Sequence, residues 1–310
     1  AVDASLIEAD ANKQRSVPGH EWRIEDIPAR ATQAVRDYLG TLDDAAFGAA
    51  SDVTPKFISP SDPAAQWTGA LRGPAFFAYA NNYLIDTANA VILDVEASRA
   101  IRQAEVGAAR TMIDRTQDRL GLNPERLAAD TAYGSAANLG WLVNDKKITP
   151  HIPVIDKSKR NDGTLSRADF TFDKERHVYV CPQDKLLTTT GRVHRERTLL
   201  YRASKLACVP CLLKPRCCPT TPQRKIPRDI DEDARDFVRS LAGTPAFERS
   251  RHERKRIEML FAHLKRILKL GRLRLRGPRG AQDEFLLAAT AQNLRKLAML
   301  RPEPPAFQPA

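Results

Sequence analysis

The sequence predicts a mixed α/β fold, and three features predict it. The opening segment, Val-Asp-Ala-Ser-Leu-Ile-Glu, alternates as a strand does and runs into a polar turn. Residues 76–96 read as two strand-forming runs, Phe76–Ile85 and Val91–Glu96, hinged at Asp86-Thr-Ala-Asn. Beyond the hairpin, helical and strand patterns take turns: a long helix over Ala97–Leu120, a short apolar strand at Arg126–Ala129, a helix at Ser135–Asn144 and a strand at Thr149–Ile155. Hairpin, helix, strand, helix, strand is the order of a mixed sheet with helices packed on it.

Each element has its local signals. In the first strand Asp3, Ser5 and Ile7 share one face, while Val2, Ala4 and Leu6 share the other. An amphipathic helix is expected near Ile27–Leu42, and Phe57–Gly73 is rich in turn residues. Gly121 and Asn123-Pro124 stop the long helix, and Ser135 stands as the N-cap of the next. Residues 157–225 change character: they hold all five cysteines, many Lys and Arg, and short strand-like pieces. Helical pattern resumes near Asp231 and ends with an apolar helix over Gln282–Leu300. The expected organisation is therefore 1–156 and 226–300 as two parts of one core, 157–225 as a basic Cys-rich insertion, and 301–310 as a Pro-rich tail.

The charge is large and uneven. The 310 residues carry a formal net charge of +11, yet residues 1–50 hold nine acids against five bases. A basic chain of this kind favours a polyanionic partner, with nucleic acid ahead of membrane. No run approaches the length of a transmembrane helix and no secretory signal opens the chain, so a cytoplasmic protein with no membrane partner is expected. The start at Ala rather than Met points to an N-terminal part outside this sequence.

The densest basic stretch contains the most informative acid. Arg249–Arg279 has twelve Lys or Arg and two acids, Glu253 and Glu258. At helical spacing Ile257, Leu260, Phe261, Leu264 and Leu268 form an apolar stripe, flanked by a row of Arg251, Arg254, Glu258, Ala262 and Lys265. A carboxylate opposes phosphate binding unless it has a task such as holding a metal; the plain alternative is a local ion pair with Arg254. Asp130 offers a partner, because in Leu-Ala-Ala-Asp-Thr-Ala-Tyr-Gly-Ser it follows a short strand, where α/β folds place ligand groups. Asp3 offers a second. Carboxylates distant in sequence and gathered in space suit hard cations such as Mg²⁺ or Mn²⁺, which in pairs drive phosphodiester chemistry.

At these residues the chain resembles the DDE transposases of bacterial insertion sequences, whose catalytic core is ribonuclease-H-like. VDASLIEADANK resembles that family's first-Asp segment and LAADTAYGS its second, Asp-x-x-Tyr. RHERKRIEMLFAHLK resembles its Glu helix: Arg254, Glu258 and Lys265 fit Tyr-x2-Arg-x3-Glu-x6-Lys, with Arg251 where the Tyr belongs. The resemblance implies a ribonuclease-H-like mixed sheet flanked by helices, with the Cys-containing insertion before the Glu-bearing helix. It implies metal-dependent DNA cleavage and strand transfer by Asp3, Asp130 and Glu258, with transposon ends and target DNA as partners and a homodimer assembled on DNA. Arg251, Arg254, Lys255 and Lys265 then face DNA phosphate. The resemblance also implies that the family's N-terminal DNA-binding region would be missing here. Asp62 is the rival for the first Asp, and Asp86 is a weaker one because it sits in a hairpin turn. The competing readings are a truncated or decayed DNA-binding protein without catalysis, and a plain ribonuclease-H-type nuclease.

The cysteines suggest a second metal. Cys208-Val-Pro-Cys211 is a C-x2-C pair, Cys181 lies upstream, and Cys217 or Cys218 completes a set of four for structural zinc. A zinc ribbon has two such pairs and this chain has one, so reduced thiols packing the insertion are the alternative. His151, His194, His252 and His263 form no i, i+4 ligand pair and read as structural or surface groups; Trp22, Trp67 and Trp141 read as core or interface. The run KSKRNDGTLSR (157–167) reads as a solvated loop.

Overall fold

A computed structural model describes residues 1–27, 30–47, 54–69, 73–156, 160–195 and 197–299. The Pro-rich tail at 301–310 lies outside the described residues, as do the first three positions of the KSKRNDGTLSR run. The chain divides into two compact units, 1–132 with 243–310 and 133–242. These boundaries differ from those at 156 and 225 suggested by composition, because the segments flanking the Cys-rich stretch pack with it.

The first unit is built on a four-stranded antiparallel sheet. Strand β1 (Val2–Glu8) is followed by short β2 (Val17–Pro18), helix α1 (Gln33–Gly40), short β3 (Phe57–Ile58) and β4 (Gln66–Thr68). The long hairpin comes next, β5 (Phe76–Asp86) and β6 (Val91–Arg99), then helix α2 (Arg102–Leu120) and β7 (Arg126–Ala128). Strand β5 pairs with β1, with β6 and, at its start, with β4. The turn is the one the sequence marked: against desolvation, which would raise it, the Asp86 carboxyl is held below the usual range by accepting from the Asn89 side-chain amide and from the Ala88 and Asn89 N–H groups. Asp86 is thus a turn residue. Gly121 ends α2 in the left-handed conformation at φ 64°, as a helix-terminating glycine should.

Three sequence expectations for this unit change. Ala97–Arg99 belong to β6 rather than to the long helix, because Ala97 and Ser98 pair with Asn81 and Ala80. Helix α1 begins at Gln33, later than the pattern near Ile27. The turn-rich 57–73 region contains two short strands, and Trp67 there stands edge-on to Phe57 and Phe77 at 5.4 and 5.0 Å between ring centroids.

The second unit opens with α3 (Ala136–Gly140), whose N-cap Ser135 accepts from the Asn138 N–H, and continues as a π-helical turn to Asp145. Strand β8 is Thr149–His151, shorter than the Thr149–Ile155 pattern. Gly134 is required by packing: a Cβ there would stand 2.0 Å from the Pro153 carbonyl oxygen. Two small antiparallel sheets follow. The first comprises β9 (Thr171–Asp173), β10 (Val178–Val180) and β11 (Leu186–Leu187); the second comprises β12 (Val193–His194), β13 (Thr198–Arg202) and β14 (Lys225–Asp229). Single-turn helices α4 (Lys205–Cys208) and α5 (Lys214–Cys217) lie between β13 and β14. Phe170, Tyr179, Leu187, Tyr201 and Ile226 form the core. Helix α6 (Glu232–Leu241) closes the unit and buries Glu232 against Arg167, Arg235 and Arg239 at 2.5 to 2.9 Å. Arg167, expected in a solvated loop, is therefore a structural cation.

The chain returns to the first unit with α7 (Pro245–Arg266) and α8 (Gly277–Met299). Thr244 caps α7 by accepting from the Phe247 N–H, and Pro245 occupies its first turn, where no N–H partner is needed. Ile257, Phe261 and Leu264 bury against the sheet, and Phe261 stacks on Tyr83 at 4.8 Å. Leu268, expected on the same stripe, lies beyond the helix end and is exposed. Helix α8 supplies side-chain amides to the backbone of β6. Gln282 bonds Ala97 N–H and Val95 carbonyl, and Asn293 bonds Ile92 N–H and carbonyl. Such bonds cover strand groups that would otherwise offer an open edge.

Candidate active site

Asp3 lies on β1 opposite Tyr83 of β5. Directly opposed residues in an antiparallel pair project to the same face. Tyr83 packs on Phe261, so Asp3 faces α7. There Arg254 Nη1 reaches Asp3 Oδ2 at 3.0 Å, and its Nη2 lies 3.4 Å from Glu258 Oε1, one helical turn on. One guanidinium thus joins two of the three carboxylates that the sequence singled out.

The third is close by. Asp130 follows β7, which packs on α7, and its Oδ1 accepts the Ala132 N–H at 2.7 Å. Burial pushes the Asp3 carboxyl up to about 6; the Ala4 N–H and Arg254 oppose that rise, and the negative charges of Asp130 and Glu258 add to it. Asp130 and Glu258 are therefore both near enough to act on the Asp3 carboxyl. Glu258 is about half exposed and Asp3 mostly buried.

A fourth carboxylate joins them. Glu105, in the first turn of α2, is partly buried, and desolvation followed by the charges of Asp130 and Asp3 raises it to about 7. Nothing in the sequence marks it out. An acid in the first helical turn is ordinary dipole chemistry, so its type and position carried no special signal.

The rivals for the first Asp have other tasks. Asp62 is fully buried, accepts from the Tyr79 hydroxyl at 2.5 Å and the Gly277 N–H at 3.1 Å, and so fixes the start of α8 in the core. Gly277 has φ 83° and lies against Ala34, two reasons for glycine at that junction.

The basic residues of α7 divide by contact. Arg251 pairs with Glu248 at 3.0 Å, and Arg256 donates to the Thr87 and Ala88 carbonyls, pinning the hairpin turn. Lys255 and Lys265 are exposed and make no ion pair among the described residues. Partial burial nonetheless desolvates the Lys265 ammonium and lowers its pKa.

Among the described residues, no three His, Cys, Asp or Glu side chains already stand close enough to hold an ion. The chemistry of the donor set fits a hard divalent cation, since it consists of carboxylate oxygens from separate elements. In the second unit, Cys181, Cys208, Cys211, Cys217 and Cys218 are free thiols. No helix among the described residues is long and apolar enough to cross a membrane.

A family model described as a transposase DDE domain matches residues 180–298. The match runs from the strand before Cys181 to the end of α8 and includes Glu258; Asp3 and Asp130 lie outside it. It supports a DDE transposase, a class that acts on DNA and generally uses a divalent metal. Neither the comparison with curated proteins nor that with solved structures returned a match.

Proposed function

We propose that this chain is the catalytic part of a bacterial insertion-sequence DDE transposase with a ribonuclease-H-like core. It performs metal-dependent cleavage at transposon ends and strand transfer into target DNA. The observation that carries this reading is the link from Asp3 through Arg254 to Glu258, with Asp130 acting on the same Asp3 carboxyl. Strand, strand end and helix are three independent sources, and each segment resembles the matching segment of that family.

Asp3, Asp130 and Glu258 would hold Mg²⁺ or Mn²⁺, which supplies activation of a water or 3′-hydroxyl nucleophile and stabilisation of the leaving oxygen. Arg254 balances the carboxylates and must share or release Asp3 as phosphate and cation enter. Glu105 adds negative charge behind Asp3 and Asp130. Lys255 and Lys265 hold DNA phosphates beside the site, with Arg251 one turn before Lys255, and a homodimer on DNA brings two such sites to two ends.

The grip of Arg254 on both Asp3 and Glu258 also favours a second reading, a DNA-binding protein in which the ion pairs are purely structural. Duplexes from the DNA flanking the encoding gene, incubated with Mg²⁺ or Mn²⁺, separate the two. Catalysis predicts nicking at a defined end and joining of the 3′-hydroxyl to a second duplex, both abolished in Asp130→Ala and Glu258→Ala. Cleavage without joining would indicate a nuclease. Binding without cleavage would leave only the structural reading.

A further inference from the structure

We propose that the second unit contains a structural zinc site formed by Cys181, Cys208, Cys211 and one of the adjacent pair Cys217 and Cys218. It is independent of the strand-transfer chemistry. The sequence raised this set on spacing alone; the fold supplies the reasons to accept it. Cys181 follows β10, Cys208 ends α4, Cys211 is in the next turn, and Cys217 ends α5, yet all five thiols line one cavity of about 30 Å³. A space of that size holds a single water-sized body. Cys181, Cys208 and Cys217 also pack on the same apolar cluster as Tyr179, Leu187 and Tyr201, so the chamber is walled by core.

The Cys181 sulfur is already arranged as an acceptor. The Gln183 and Lys185 N–H groups point at it from 3.4 and 3.3 Å, two residues and four residues on. Backbone donors aimed at the sulfur hold it in place for a metal. Four thiolates around Zn²⁺ leave two net negative charges, and the cavity wall carries the cations to meet them: Lys185, Lys214 and Arg224, the last buried and tied to the Cys217 carbonyl at 2.8 Å. As the side chains stand, no three of them meet at ligand spacing, so binding turns thiols inward toward the cavity.

The local structure also needs such a link. Helices α4 and α5 are four residues each, too short to persist on helical hydrogen bonds alone. Leu206 within α4 and Leu212 ahead of α5 are 87% and 91% exposed and contribute little burial. A tetrahedral metal joining both short helices to β10 supplies order that packing does not.

The test uses the full chain, purified without a histidine tag or chelator. Zinc content measured by elemental analysis should be one ion per chain. It should fall below one tenth of that in Cys208→Ser and Cys211→Ser, and in only one of Cys217→Ser and Cys218→Ser. Because these variants can fail to fold, a second measurement uses the unaltered chain with Co²⁺ in place of zinc. Intense thiolate-to-cobalt charge-transfer absorption and tetrahedral d–d bands are expected, abolished by stoichiometric Zn²⁺. Full reactivity of all five thiols toward a thiol reagent in the folded, metal-supplemented chain would overturn the proposal, as would cobalt spectra lacking thiolate bands. Loss of zinc binding would leave the carboxylate site untouched, and inactive carboxylate variants should retain zinc.

Discussion

Arg254 Nη1 lies 3.0 Å from Asp3 Oδ2, an ion pair between residues 251 positions apart. The same guanidinium touches Glu258, so any cation entering between the carboxylates competes with it. Replacing Arg254 with Ala should therefore strengthen Mn²⁺ binding, measured by titration calorimetry, while DNA cleavage falls about a hundredfold because the link that holds Asp3 and Glu258 together is gone. Mn²⁺ binding unchanged or weakened would show that the guanidinium does not occupy the cation's place.

Metal binding should depend on pH in a direction set by Asp3 and Glu105. Their carboxyls stand at about 6 and about 7, above the ordinary carboxylate range. A proton must leave before a cation is held, so Mn²⁺ affinity should climb between pH 5 and pH 8. The metal-free chain should show the opposite trend in stability. A raised folded pKa gives a contribution that is complete below about pH 4 and lost as pH rises through the folded values. Chemical denaturation without metal should show falling stability across that window. Glu105→Gln removes the carboxyl that gives up its proton last, at about 7, so the binding midpoint of that variant should move to lower pH. A midpoint that stays in place would remove Glu105 from the site.

Asp3 and Asp62 should behave in opposite ways. Asp62→Ala leaves the Tyr79 hydroxyl and the Gly277 N–H without their acceptor in the core, at about 1–3 kcal/mol for each group. Asp3→Asn removes a charge that burial disfavours, so the variant should lose cleavage and keep or gain thermal stability at pH 8. Cleavage retained in Asp3→Asn would exclude it as the first carboxylate.

Lys255 and Lys265 are exposed and serve no ion pair among the described residues. Replacing either with Ala should weaken DNA binding for all sequences alike. It should also flatten the salt dependence, by about 0.9 in log–log slope for each phosphate no longer neutralised. Fluorescence anisotropy across a salt series reads this directly, and an unaltered slope would place DNA elsewhere.

Phe261 stacks on Tyr83 at the junction of α7 and the sheet. Phe261→Ala should cost about 3–5 kcal/mol, as large-to-small core changes do. Removing the ring also frees the helix that carries Arg254 and Glu258. Cleavage should therefore fall at temperatures where circular dichroism still reports a folded chain.

Much of this was legible in the residues themselves. The alternation of 2–8 placed Ile7 and Asp3 on one face; Ile7 is fully buried and Asp3 meets α7. The 3.6-residue period of α7 placed Ile257, Phe261 and Leu264 inward and put Arg254 beside Glu258. Local periodicity was misleading where pairing prevailed, as at Ala97–Arg99, whose strand state comes from hydrogen bonds to Asn81, Ala80 and Tyr79.

By itself the sequence determined the elements with a strong period, the basic character of α7, the crowding of cysteines into one region and the three acids worth testing. Only the tertiary structure decided that Arg254 bridges Asp3 and Glu258, that Glu105 joins them, that Asp62 belongs to the core and that the scattered thiols line one cavity. The physical reason is the range of the interactions. Side-chain spacing along one element records which face is buried. Which charges meet across elements depends on how those faces pack, and no spacing within a segment carries that information.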